Sequence, residues 1–288
     1  MSDQLAIARR SDGEQIDARM TAHRRESKYL VSAEQARAIA REVTRQLDSH
    51  RHRGDGANVL PAAHHYVTTI YFDTTSRTLF RAAHASSDNH IKLRAKEYYD
   101  LHPELTETAT DVRQLVRFKP ILWLELKLRD GAHTGKQRVG IPKVDVPAFF
   151  TQGRITETMV KIQEATHGRE ARAVLDAVAQ LCASCAEPLQ ADCLVNYRRN
   201  AWQDPGGELR VTIDTGLAFY APPPDLWARE WALVRESLGS PVATETRRVL
   251  EIKSHADQPT WLVSALEALN IRALPFSKFE AASSAVHG

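Results

Sequence analysis

From Ile91 to Tyr98 every second residue is polar or cationic: Lys92, Arg94 and Lys96 alternate with Ile91, Leu93 and Ala95. Side chains two apart on a β-strand share a face, so such a strand is cationic on one side and apolar on the other. The same parity recurs along the chain. Glu26 shares a face with Lys28, and Glu125, Lys127 and Arg129 alternate with Leu124, Leu126 and Leu128. Lys136 goes with Arg138, Arg210 with Thr212 and Asp214, and Glu251 with Lys253 against Leu250 and Ile252. One strand of this kind reads as the solvated side of an antiparallel sheet. Six change the reading, because a solvated face accepts Ser, Thr, Asn and Gln, whereas these faces repeat long cations with an occasional Glu. Amphipathic helices elsewhere in the chain are available to cover the apolar faces. The expectation is an α+β fold built on a closed antiparallel β-barrel, charged within, apolar without and covered outside by helices.

Strands are predicted at Arg24–Leu30, Tyr66–Phe72, Leu79–Ala83, Ile91–Tyr98, Ile121–Arg129, Lys136–Ile141, Asp192–Trp202, Glu208–Ile213 and Arg247–Lys253. Helices are predicted at Ala33–Leu47 behind the cap Ser32, and at Val144–Phe150, Thr156–Cys182, Leu226–Leu238 and Pro259–Leu269. Asp130-Gly131 and Asp204-Pro205-Gly206-Gly207 read as hairpin turns, and HRHRGDGAN and HPELTETATD as loops. Residues 1–23 are polar and aperiodic and read as a flexible leader, with 24–284 as one domain. With 43% hydrophobic and 26% charged residues the chain can bury a sizeable core. A formal net charge of +2 argues against a nucleic-acid partner. The chain has neither a long apolar run nor a secretory signal, so no direct membrane insertion and a cytoplasmic location are expected.

An enclosed face this rich in cations is costly to leave empty, because buried cations without partners lose their hydration. It calls for an anionic guest. The expected phosphate-binding lining is Lys28, Lys92, Arg94, Lys96, Lys127, Lys136, Arg138, Arg199, Arg210, Lys253 and Lys278, facing Glu26, Glu125, Asp214 and Glu251. Carboxylates among phosphate ligands weaken binding unless they hold a hard divalent cation, so Glu26, Glu125 and Glu251 are assigned to Mg²⁺ or Mn²⁺. Other motifs carry less. GAHTGK at 131–136 is one residue short of a P-loop and lies between strands. His64-His65 lacks a spaced third ligand, and Cys182, Cys185 and Cys193 read as reduced thiols, since no second ligand pair accompanies them. Asp73 reads as a turn former, and Tyr71 and Phe72 as packing.

Arg25-Glu26-Ser27-Lys28-Tyr29, Tyr71-Phe72-Asp73-Thr74, Lys92-Leu93-Arg94, Leu124-Glu125-Leu126-Lys127, Tyr197-Arg198-Arg199, Leu250-Glu251-Ile252-Lys253 and Phe276-Ser277-Lys278-Phe279 follow one another in register over about Arg24 to Ala282. Together they resemble the VTC domain, the polyphosphate polymerase module of the vacuolar transporter chaperone complex, among the CYTH-like triphosphate tunnel metalloenzymes. The resemblance implies an eight-stranded tunnel in which Lys28, Lys92, Arg94, Lys127, Arg199 and Lys278, together with Lys253, grip a triphosphate. It makes Glu251 the foremost metal ligand, followed by Glu26 and Glu125. It further implies transfer of the γ-phosphoryl group of ATP to a growing polyphosphate, with the product threading through a tunnel open at both ends. The basic wall also suits a triphosphatase, with water as acceptor, or a non-catalytic sensor of polyphosphate or inositol polyphosphates. The chain differs from the family pattern in carrying Lys92 where Arg is more usual, and it lacks the membrane segments of the eukaryotic complex. An additional protein partner is compatible with this reading.

Overall fold

The structure, a computed structural model, describes residues 25–49, 65–86, 89–99, 118–130 and 133–288. The leader and the two loops HRHRGDGAN and HPELTETATD lie outside the described residues. Among the described residues ten antiparallel strands form one sheet. They are β1 (Arg25–Val31), β2 (Asp48–Ser49), β3 (His65–Asp73), β4 (Asn89–Tyr99), β5 (Ile121–Asp130), β6 (His133–Pro142), β7 (Gln190–Gln203), β8 (Leu209–Tyr220), β9 (Ala243–Glu245) and β10 (Arg248–Ser254). Eight of them follow the path β1-β10-β8-β7-β3-β4-β5-β6, with β2 beside β7 and β9 beside β8. The helices are α1 (Ala33–Gln46), α2 (Thr78–Ala85), α3 (Val146–Gln152), α4 (Glu157–His167), α5 (Ala171–Ala183), α6 (Thr260–Ala268) and α7 (Lys278–His287).

The expected closure by backbone pairing is corrected: among the described residues the path ends at β1 and β6 without pairing them. Both edges are engaged otherwise. The side-chain amide of Gln163 on α4 substitutes for a strand, accepting from the Gly140 N–H at 3.1 Å and donating to the Arg138 carbonyl at 3.0 Å. On the other edge the Leu274 N–H donates to the Lys28 carbonyl at 3.0 Å. Edges occupied in this way do not recruit another strand. The sheet nevertheless curls far enough for Lys127 on β5 to lie 3.6 Å from Glu26 on β1.

Strand parity divides the core. Leu93, Ala95, Leu122, Leu124 and Leu126 turn outward onto α3, α4 and α5, packing with Phe149, Met159 and Leu175. Tyr29, Val31, Val211, Ile213, Leu250 and Ile252 turn outward onto α1 and α6, against Ile39, Val43 and Leu262. Parity changes once on β8, where Gly216, at φ +62°, and Leu217 together face Tyr197. This bulge keeps Leu217 and Phe219 on the same concave face as Arg210, Thr212 and Asp214.

Three predicted elements differ and one helix is additional. Leu79–Ala83 is helical, within α2, because Leu79, Ala82 and Ala83 form a buried i, i+3, i+4 stripe. The predicted helix Thr156–Cys182 is broken into α4 and α5 at Gly168, whose φ of +54° and ψ of −127° suit glycine alone. Leu226–Leu238 forms turns and one 3-10 turn, Arg235–Ser237, rather than a helix. The chain ends in α7, capped by Ser277, which accepts from the Glu280 N–H.

Candidate functional site

The register of neighbouring strands brings the charged parities onto the concave face. Lys28 is opposite Glu251 and Glu26 opposite Lys253 across β1 and β10; Lys253 is opposite Arg210 across β8. Arg199 is opposite Asp214. On the other flank Lys92 faces Lys127, Arg94 faces Glu125, Lys127 faces Lys136, and Glu125 faces Arg138. The run Lys92, Lys127, Lys136 puts like charges side by side on three strands, an arrangement that costs stability by itself.

Carboxylates tie these cations into clusters. Glu26 contacts Lys28 at 3.1 Å, Lys253 at 3.3 Å and Lys127 at 3.6 Å, and Lys253 also reaches Glu251 at 2.6 Å. Glu125 receives Lys136 at 2.7 Å and Arg94 at 3.0 Å. Asp214, fully buried, takes both a bidentate Arg199, at 2.6 and 2.7 Å, and Lys278 at 2.7 Å. Tyr197 lies beneath this last group, with the Arg199 and Lys278 cations 5.4 and 5.1 Å from its ring centroid. Lys92 turns to α7, where Ser277 and Glu280 each meet it at 3.2 Å. The eleven expected phosphate ligands thus share the charged face, but Arg138 differs in its partner: opposite Glu125 in register, it is exposed and stacks 4.5 Å from the ring centroid of Trp123.

The carboxylates stay ionised despite burial. Burial and neighbouring Glu251 push Glu26 upward, but Lys253, Lys28 and Lys127 outweigh them and hold it at about 2. Burial likewise opposes the ionisation of Glu125, which Arg94, Lys96 and Lys136 keep well below the usual carboxylate range. Glu251 and Asp214 are also depressed against burial, Glu251 chiefly by Lys253 and Arg199, Asp214 by Arg199 and Lys278. Lys96 is the reverse case: burial, then Arg94 and Arg199, drive its ammonium well below the ordinary lysine value.

Of the three residues expected to hold metal, Glu26 and Glu251 converge on Lys253, whereas Glu125 is committed to Arg94 and Lys136. Among the described residues no three His, Cys, Asp or Glu side chains form a ligand cluster. Two ionised carboxylates sharing one ammonium fit a hard divalent ion that keeps waters and takes its remaining oxygens from phosphate.

The concave face also holds an apolar floor. Phe279 and Ala282 of α7 pack against Tyr71, Val195, Leu217, Phe219 and Val249, with Phe279 stacked 5.1 Å from Tyr71. The floor occupies the part of the concave face on which α7 docks. Asp73 is a cap: its carboxylate accepts from the Thr74, Leu79 and Phe80 N–H groups at 2.7–2.8 Å and starts α2. Phe72 packs in the outer core. His133 to Lys136 of the P-loop-like segment lie in β6, and Gly131 and Ala132 fall outside the described residues. The three cysteines are free thiols; His65 is buried, and His64 is not among the described residues. Glu280 and Trp123 were not expected at the site. Parity alone pointed to Trp123, which is in phase with Glu125 and Lys127, while Glu280 needed the position of α7.

The sequence profile of the VTC domain matches residues 23–287. The chain belongs to the VTC domain family. No curated protein gives a significant match. Among solved structures, this VTC domain is similar to a candidate adenylate cyclase of Bacillus halodurans, at 13% identity and a TM-score of 0.43, over 89% of this chain and 96% of the other. It is also similar to a candidate adenylyl cyclase of Hippeastrum described as having a dominant triphosphatase activity, at 14% identity and a TM-score of 0.41, over 90% and 94% of the two chains. A third, from Vibrio parahaemolyticus, has 12% identity and a TM-score of 0.38 over 90% and 96%. No helix among the described residues of the VTC domain is long and apolar enough to cross a membrane.

Proposed function

We propose that this VTC domain binds a triphosphate or polyphosphate on its concave face and catalyses phosphoryl transfer, using the γ-phosphoryl group of ATP to extend a polyphosphate chain. The observation that carries the reading is the excess of cations over carboxylates on one face. Lys28, Lys92, Arg94, Lys96, Lys127, Lys136, Arg199, Arg210, Lys253 and Lys278 face Glu26, Glu125, Asp214, Glu251 and Glu280. A polyanion neutralises the remainder. Membership of the VTC family favours polymer synthesis.

Phosphoryl transfer demands positioning and charge neutralisation rather than a protein nucleophile. In this reading the bond between the γ-phosphorus and its bridging oxygen breaks as an oxygen of the chain terminus bonds to that phosphorus, releasing ADP and a chain longer by one unit. Lys28, Lys127 and Lys92, contributed by different strands, hold the donor and acceptor phosphates together against their mutual repulsion. Arg94 and Arg199 are fixed by Glu125 and Asp214, so their donors are oriented before substrate arrives. Glu251 and Glu26 would hold Mg²⁺ or Mn²⁺, which supplies charge neutralisation on the phosphate oxygens.

The apolar floor built by α7 favours a second reading, triphosphate hydrolysis, because a short substrate needs only one entrance. Water then replaces the chain terminus as acceptor, oriented by Glu26 or Glu125. Incubation with ATP and Mn²⁺, resolved on a gel that separates polyphosphate from orthophosphate, decides between them. Polymer is the expected product, orthophosphate alone establishes the hydrolase, and tight binding without turnover establishes a sensor.

A further inference from the structure

Arg138 is the one expected phosphate ligand that the structure ties to an aromatic ring instead of a carboxylate. It sits opposite Glu125 across β5 and β6, yet the Glu125 contacts are made by Arg94 and by Lys136, two residues away from Arg138. Its guanidinium lies over Trp123, and the residue is exposed to solvent. Trp123 shares the strand parity of Glu125 and Lys127, and it lies four residues from Lys127 in the direction away from Lys92 and α7. At about 3.4 Å per residue this separation is roughly 14 Å, comparable with the reach from a terminal phosphate to the base of an extended nucleoside triphosphate.

The stack is built into a fixed part of the sheet. Gly140 is directly opposite Trp123, and a Cβ there would come within 2.4 Å of the Ile162 side chain and 3.1 Å of the indole. Glycine is what lets the Ile162 side chain lie close over β6, and it keeps the space beside the indole tight but unclashed. The Arg138 carbonyl is held by the Gln163 amide at 3.0 Å, so the strand carrying the guanidinium is anchored to α4. An exposed guanidinium stacked on an indole presents a flat cation, the kind of surface on which a nucleobase stacks.

We infer that Arg138, supported by Trp123, is the platform on which the nucleobase of a nucleoside triphosphate stacks. The inference rests on the phosphate site proposed above. It gives Arg138 a role in recognising the base in place of the phosphate contact that parity predicts.

Calorimetric titration of the intact chain with β,γ-imido-ATP and, separately, with inorganic tripolyphosphate in the presence of Mn²⁺ tests it. Arg138→Ala is expected to weaken the nucleotide about tenfold, the range of a lost stacking contact, while tripolyphosphate affinity stays within about twofold because an exposed charge is largely screened. Arg138→Lys keeps the charge and loses the plane, so it is expected to behave like Arg138→Ala. Equal weakening of both ligands in Arg138→Ala, or rescue by Arg138→Lys, would show a phosphate contact and overturn the platform. No change with either ligand overturns it as well. Failure of the wild-type chain to bind either ligand rejects the phosphate site itself, and the platform with it.

Discussion

Lys96 and Glu251 are the residues where the chemistry of the concave face can be probed most directly. Burial, Arg94 and Arg199 depress the Lys96 ammonium in the free protein. A bound polyphosphate favours the charged form, so binding should be accompanied by proton uptake in the interval between the free and bound values. The sign follows: affinity is fully expressed below that interval and falls as pH rises through the bound-state value. Calorimetry in buffers of different ionisation enthalpy should show uptake in the wild type and its loss in Lys96→Met. Buffer-independent enthalpies in both proteins would show that Lys96 does not titrate with the ligand. Glu251 is nearly inaccessible and paired with Lys253. Glu251→Gln preserves shape while removing one of the two convergent carboxylates. Turnover with Mn²⁺ should fall by at least about 100-fold, since even outer-shell partners of a metal are worth ~10–100-fold. A near-UV circular dichroism spectrum matching wild type would show that the fold is kept, and full activity would refute the metal assignment.

Strands were legible in the sequence because parity is a local property: Lys92, Arg94 and Lys96 against Leu93 and Ala95 identify their own faces without any knowledge of a neighbour. Helices were less so. The short sequence TLFRAAHA of α2 has few turns in which to show its period, and its start depends on Asp73, which lies outside the helix. The Leu226–Leu238 stretch carries apolar residues that are buried, yet their backbone follows turns instead of a helix. Glu280 became part of the site only through the docking of α7 onto β7 and β8. Closure is not legible for a related reason: charged parity does not say what covers a sheet edge. Gln163 covers β6, fully buried, with its amide serving Gly140 and Arg138. Gln163→Leu keeps the volume close and leaves those backbone groups without their partner. It should lower stability by about 1–3 kcal/mol, read as a reduced urea midpoint at unchanged slope. No change in midpoint would show that the edge does not need the amide.

Over the whole molecule the formal charge nearly balances, at +2, while the concave face gathers cations well in excess of carboxylates. The empty protein therefore holds repulsion in one place, and a ligand that neutralises it should act on stability as well as on catalysis. Binding to the native state alone contributes about 2.7 kcal/mol at a ligand concentration 100 times Kd. For a chain somewhat longer than those for which 1 kcal/mol corresponds to about 2–4 °C, the shift per kcal/mol is at the low end of that range, which predicts a rise in Tm of roughly 4–5 °C with tripolyphosphate. High salt should produce part of that rise in the empty protein by screening the same repulsion, and should weaken tripolyphosphate binding in the same experiment. Lys96→Met removes a buried amine whose charged form burial, Arg94 and Arg199 disfavour, so it should raise the ligand-free Tm while shrinking the ligand-induced increment. Thermal scans of the two proteins, with and without tripolyphosphate at low and high salt, separate these effects. If tripolyphosphate leaves the wild-type Tm unchanged at millimolar concentration, the cations do not act as one binding surface.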